Sequence, residues 1–233
     1  MKDEKKIRIT FMGPYEVDAS IPLNQASIVP AENEEGASER WETRKEYPEC
    51  ENGVYKLCRC GHSRTKPHCD GTHNDVSFLG KETAPHDPYA GKSKCYSGEG
   101  IDLFDTEGLC AVMRFCDRAP TAWRAARDSH DAGKRDLAVD AACKCASGRL
   151  RAFEKDGTPI EPELSQEISV VEDLDQGCRG PLWVKGGIAI EGSDGKAYAV
   201  RNRVTLCRCG ESKNIPFCDA SHLKCSHMKG FDD

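Results

Sequence analysis

One arrangement of metal-binding side chains occurs twice in this chain. Cys58, Cys60, Cys69 and His73 follow the spacing C-x-C-x8-C-x3-H, and Cys207, Cys209, Cys218 and His222 repeat it. Inside each copy a serine (Ser63, Ser212) and a proline (Pro67, Pro216) stand at the same offsets. Three thiols and an imidazole at matched spacing, twice over, mark a chain that binds metal. Such a chain folds around its metal sites, because binding free energy becomes folding free energy.

The repeat extends upstream of the ligands. Gly13-Pro14-Tyr15-Glu16-Val17-Asp18-Ala19-Ser20-Ile21 aligns without a gap on Gly180-Pro181-Leu182-Trp183-Val184-Lys185-Gly186-Gly187-Ile188, at a constant separation of 167 residues. Ahead of each lies an apolar stretch, Ile7–Phe11 and Ile168–Val171. The alternation Ile7, Ile9, Phe11 predicts a half-buried strand, and Gly-Pro the turn after it. From Ile21 to Cys58 is 37 residues, but from Ile188 to Cys207 only 19. The first copy therefore carries an 18-residue insertion, assigned to the polar stretch Ala31–Tyr47.

Between the copies, about residues 88–158, lies a unit of different pattern, bounded by Pro85–Pro88 and by Gly157-Thr158-Pro159. Leu109–Cys116 suits a helical turn, and Ala122–Arg127 and Leu137–Ala142 read as short helices. The predicted domains are 1–85, 88–158 and 159–233.

Fourteen cysteines in 233 residues fit a disulfide scaffold or a metalloprotein. The charged start Met1–Lys6 leads into no apolar stretch, and no run approaches the roughly 18 residues of a membrane span. The expected setting is the reducing cytoplasm, where such clusters hold metal. A net charge of −6 with no basic stripe argues against nucleic acid as partner.

Spacing alone leaves the metal open. A mononuclear zinc site uses three Cys and one His readily, though usually from C-x2–4-C knuckles. A [2Fe–2S] rhomb takes one ligand pair per iron, and the C-x-C and C-x3-H halves suit that equally.

Residues 58–73 closely resemble the CDGSH iron–sulfur (NEET) family signature C-x-C-x2-(S/T)-x3-P-x-C-D-G-(S/A/T)-H throughout, and residues 207–222 do so except that Ala220 replaces glycine. The resemblance implies one [2Fe–2S] cluster per copy, with Cys58 and Cys60 on one iron and Cys69 and His73 on the other. In the second copy the pairs are Cys207 with Cys209, and Cys218 with His222. It also implies an α+β protein in which two β-rich modules form an intramolecular pseudo-dimer with a β-cap. The expected state is a monomer of internal pseudo-twofold symmetry. A neutral imidazole in place of a thiolate makes such a cluster easier to reduce, and acid loosens the histidine-held iron first. Asp70 and Asp219 are expected to orient the ligand loop, or to form a plain Asx turn. Ala220 is strained if its position needs positive φ. His62 and His68, unmatched in the second copy, read as structural, as do Trp41, Trp123 and Trp183. Cys50 and Cys225 belong to no motif.

In the middle unit Cys110, Met113 and Cys116 keep the ferredoxin spacing with its central cysteine replaced. Cys145-Ala146-Ser147-Gly148-Arg149-Leu150 resembles the C-P-S-G-A-L ending of divergent single-cluster ferredoxin domains, with Ala146 and Arg149 as departures. This implies a small inserted α+β ferredoxin-like domain holding a [3Fe–4S] or [4Fe–4S] cluster on Cys110, Cys116 and Cys145. Cys143, Cys95 and Cys178 are candidates for a fourth ligand. The alternatives are a domain that has lost its cluster and cysteines that serve as small buried hydrophobes.

No nucleophile–base set, phosphate-cradling loop or flavin fingerprint appears, so a non-enzymatic electron carrier is expected, working with a redox partner. The alternatives are a cluster carrier serving an apo-acceptor, a redox sensor, and a zinc-stabilised interaction module.

Overall fold

The structure, a computed structural model, describes residues 5–32, 36–48, 50, 53–89 and 91–231. Most of the charged start, Met1–Glu4, lies outside the described residues, as do residues 33–35 of the insertion. The chain is β-rich with two helices. Strands β1 (Lys6–Ile9), β2 (Tyr15–Asp18), β3 (Leu23–Pro30), β4 (Ser38–Glu46) and β5 (Val54–Leu57) precede the first ligand loop. The middle unit follows with β6 (Lys94–Ser97), β7 (Asp102–Asp105), α1 (Ala122–Arg127), α2 (Ala132–Lys144), β8 (Leu150–Phe153) and β9 (Pro159–Ile160). Then come β10 (Ile168–Asp173), β11 (Cys178–Lys185), β12 (Ala189–Glu191) and β13 (Arg203–Leu206), and the second ligand loop.

Each copy lends a strand to the other. One sheet has the order β12-β1-β2-β5, and a second the order β13-β11-β10-β3-β4. In the first, β12 of the second copy runs parallel to β1, with Ile190 opposite Ile7. In the second, β3 of the first copy runs parallel to β10, with Leu23 opposite Ile168. Leu23 and Ile190 stand 167 apart, the offset of the sequence repeat, so both exchanges keep one register. Pairing fixes which face is buried, and the inward side chains fuse into one core. It holds Ile7, Tyr15, Val17 and Leu57 beside Ile168, Val184 and Leu206. Neither copy closes this core alone.

The third sheet, β6-β7-β8-β9, belongs to the middle unit and runs to Ile160. The two helices pack through alanines, Ala122, Ala125 and Ala126 of α1 and Ala138, Ala141 and Ala142 of α2, all buried. Asp131 caps α2 by accepting from the Lys134 amide at 2.9 Å. Among the described residues no helix is long and apolar enough to cross a membrane.

Two local expectations are corrected, and the insertion, read only as a polar stretch, adds β4, paired antiparallel with β3 at the sheet edge. Its run of Glu and Arg hid the strand, and charge on an edge strand blocks further pairing. Gly180-Pro181 lies inside β11 rather than in a turn, which occupies Leu174–Gly177 instead, so the second hairpin is the longer one. Leu109–Cys116 is not helical. A 3₁₀ turn at Glu107–Leu109 gives way to an irregular loop in which Val112 (φ 54°) and Arg114 (φ 60°) are left-handed. A β-branched residue there is costly and held only by its surroundings.

Candidate metal centres

The two repeated sites have matching geometry. Each C-x-C leaves the end of a strand, half-buried β5 or fully buried β13. The backbone then returns against it, the Cys58 amide donating to the Pro67 carbonyl at 2.9 Å and the Cys207 amide to Pro216 at 2.8 Å. The third cysteine is fixed in turn, the Cys69 amide to Lys56 and the Cys218 amide to Thr205, both at 2.9 Å. Both prolines follow cis peptide bonds. Ser63 Oγ donates to the His68 carbonyl at 2.6 Å, and Ser212 Oγ to Phe217 at 2.7 Å.

The donors stand in pairs. Cys58 and Cys60 sulfurs are 3.7 Å apart, and Cys207 and Cys209 sulfurs 3.5 Å. Cys69 Sγ lies 3.3 Å from His73 Nδ1, and Cys218 Sγ 3.4 Å from His222 Nδ1. Two donors on one tetrahedral ion, each at about 2.0–2.3 Å, stand roughly 3.5–3.8 Å apart. Each pair therefore fits a single metal. Among the described residues no group of three or more His, Cys, Asp or Glu is placed to hold one ion.

One thiolate of each C-x-C is favoured. The hydrogen bond from Cys60, with the Ser63, Gly61 and Cys60 amides, lowers the Cys58 thiol. Cys207 is likewise lowered by Cys209 and by the Ser212, Gly210 and Cys209 amides. Asp70 takes the Arg64 amide at 2.9 Å and the Thr72 amide at 3.0 Å, and these bonds hold its carboxyl well below the usual range. Asp219 takes the Lys213 amide at 2.8 Å and the Ser221 amide at 3.0 Å. Each carboxylate makes the Asx turn and also ties the loop before the third cysteine to the residues after it. Gly71 (φ 92°) and Ala220 (φ 69°) are both left-handed, so the position does require positive φ.

The two sites differ in exposure. Cys69 and His73 are half-buried, whereas Cys218 and His222 are buried. Burial, followed by the charge of Arg208, lowers His222 to about 4. The two C-x-C loops meet back to back. A Cβ on Gly61 would come 2.9 Å from the Cys209 carbonyl, and one on Gly210 2.9 Å from the Cys60 carbonyl.

Cys110, Cys116 and Cys145 line one cavity of about 190 Å³, together with Met113, Trp123 and Arg149. Three thiols around a space larger than one ion suit a multi-iron cluster. Burial first, then Asp117, pushes the Cys116 thiol up. Of the fourth-ligand candidates none lines the cavity. Cys143 Sγ lies 3.8 Å from the Ile160 carbonyl, Cys95 is exposed on β6, and Cys178 is buried on β11.

The family model of the iron-binding zinc finger of CDGSH type matches residues 12–74 and 179–223. That of the divergent 4Fe-4S mono-cluster matches residues 96–155 between them. The chain is a two-motif CDGSH protein. No curated protein and no solved structure matches it.

Several residues of this CDGSH protein escaped the sequence reading. Arg59 and Arg208, the x of each C-x-C, are buried. Arg59 donates to the Thr10, Gly13 and Gly80 carbonyls, and Arg208 to Gly180, Val171 and Glu172. Both reach the glycine of the upstream repeat, which places each ligand loop on its own hairpin. Their identity in the two copies was the available signal. His62 stacks on His227 at 4.2 Å, and His227 Nε2 lies 2.9 Å from the Cys209 carbonyl. Cys225 and Met228 pack on Cys207 and Cys209. Asp117 lines the third cavity, its Oδ1 3.4 Å from Cys116 Sγ.

Proposed function

We propose that this CDGSH protein is a non-enzymatic electron carrier holding two [2Fe–2S] clusters and a third, ferredoxin-like cluster. Cys58 with Cys60, and Cys69 with His73, hold the two irons of the first site. Cys207 with Cys209, and Cys218 with His222, hold those of the second. The paired donor spacing carries this reading, since each pair spans one metal and each site offers two pairs. The reciprocal strand exchange supports an internal pseudo-dimer capped by β-strands, folded from one polypeptide. Cys110, Cys116 and Cys145 hold the third cluster, either [3Fe–4S] or a [4Fe–4S] completed by the Asp117 carboxylate. When bound, the clusters supply one-electron chemistry. The chain's own residues set where it occurs: amides and arginines fix the ligand loops, and burial keeps His222 neutral for binding. Anaerobic purification with iron and sulfide counting and EPR tests the reading. About seven or eight irons support it, about four remove the third cluster, and zinc without sulfide overturns it.

A second reading, delivery of a [2Fe–2S] cluster to an apo-acceptor, is favoured by the partial exposure of Cys69 and His73. His73→Cys replaces the half-buried imidazole by a tighter thiolate. Transfer that slows sharply in this variant supports delivery, and unchanged transfer rules it out.

A further inference from the structure

The order of the three centres in space differs from their order in the chain. We propose that the second CDGSH site is the central member of a linear electron relay, exchanging electrons with the middle cluster on one side and with the first CDGSH site on the other. The inference rests on the proposed function in requiring that all three centres be loaded.

Contacts on the middle-cluster side come from three directions. The ligand loop of the middle unit buries Ala111, Met113 and Phe115 in one apolar cluster with Cys218, a cysteine of the second site. The third predicted ligand is tied to the same module. Arg203 of β13, four residues before Cys207, donates to the Cys145 carbonyl at 2.8 Å and to the Leu150 carbonyl at 3.3 Å. Arg201 donates to the Ser147 carbonyl at 3.1 Å. Finally, Arg114 of the ligand loop forms a buried two-pronged ion pair with Asp173 of β10, at 2.6 and 2.9 Å. Such a paired, desolvated fork holds its partners in one geometry.

The inserted hairpin of the first copy seals this contact. Trp41 of β4 packs on Phe115 (5.0 Å) and Trp183 (4.7 Å), and its Nε1 donates to the Lys144 carbonyl at 3.0 Å. Trp41 thereby covers the apolar cluster that holds Cys218 and the middle loop, a low-dielectric setting in which charges interact strongly.

On the other side, the back-to-back C-x-C loops put Gly210 on Cys60 and Gly61 on Cys209. The second site thus meets the first through its Cys207–Cys209 end and the middle unit through its Cys218 end. The first site instead turns Cys69 and His73 toward solvent, as the terminal member. With clusters bound on these ligands, each step would pass one electron from a donating to an accepting centre, and an external one-electron reductant and oxidant would balance the ends.

The test is EPR of the full chain reduced with dithionite. His73→Cys and His222→Cys alter the signal of their own centre and so assign the two [2Fe–2S] spectra. Cys110→Ser then removes the middle cluster. The relay predicts that the half-saturation power of the second centre falls severalfold while that of the first stays within error. For a [4Fe–4S] middle cluster, the intact protein poised with that cluster reduced and then oxidised gives the same comparison without a mutation. If iron counting finds the third cluster but its loss moves neither centre, or moves both equally, the relay order is overturned and the three-cluster reading stands. If no third cluster is present, both fall.

Discussion

Tyr15 donates a buried hydrogen bond of 2.7 Å to the carbonyl of Cys207, a proposed ligand in the other copy, 192 residues away. The same hydroxyl lies 3.2 Å from the Pro216 carbonyl. One phenol thus braces both segments of the second ligand loop from the first module. The second copy has Leu182 at the matching place, so the bond has no counterpart there. Tyr15→Phe keeps the ring packing and is expected to cost about 1–2 kcal/mol. Denaturant unfolding measures the loss, and EPR should show the second centre perturbed and the first unchanged.

Ala220 pays for its left-handed backbone, at about 1–2 kcal/mol for a residue with a Cβ. The matching Gly71 has open space around a built Cβ, so the strain is of the backbone alone. Ala220→Gly should stabilise the protein by up to about 1 kcal/mol, after the larger unfolded-state freedom of glycine is subtracted. Gly71→Ala should destabilise it by a similar amount. Thermal unfolding of the two variants is expected to move in opposite directions.

His222 gives stability a defined acid limit. Burial lowers its folded value to about 4, against an ordinary value of 6.5. Between these values the unfolded chain binds the proton and the folded chain does not, so stability rises with pH through that window. The contribution is present above about 6.5 and is lost as pH falls toward 4, on the order of 3 kcal/mol in all. Denaturant midpoints of the metal-free protein from pH 7 to pH 4 should fall steeply, and less steeply in His222→Gln. Equal slopes would show that His222 is not the group responsible.

Arg149 stands in the middle cavity where the related ferredoxin ending has alanine. It donates to both oxygens of Asp105 at 2.6 and 2.9 Å and lies over Trp123 at 5.3 Å. Its charge is therefore held rigidly beside the thiols of that cavity. Arg149→Ala should make the middle cluster harder to reduce, because a fixed positive charge favours the reduced form. Potentiometric EPR should show a negative shift confined to that cluster, and Arg149→Lys should recover part of it.

The paired donors, the duplication and the two helices were legible in the sequence. Ligand spacing is a local property, since loop geometry decides which donors meet, and Cys58 with Cys60 or Cys69 with His73 needs only a few residues to be written. α1 was read to its ends, and α2 in part, from short alanine-rich runs. Tertiary structure alone decided the rest. Parallel pairing of β3 with β10 and of β12 with β1 joins residues more than a hundred positions apart, and nothing local separates a strand that pairs at home from one that pairs abroad. The charged run of β4 gave no strand signal, because its partner, rather than its own apolar content, makes it a strand. The proposed spatial order of the centres depends on Cys218 sharing an apolar cluster with Met113 and on Gly61 meeting Cys209. Those contacts follow from how the modules fold across one another, so the repeat that betrays the metal sites is silent on which of them are neighbours.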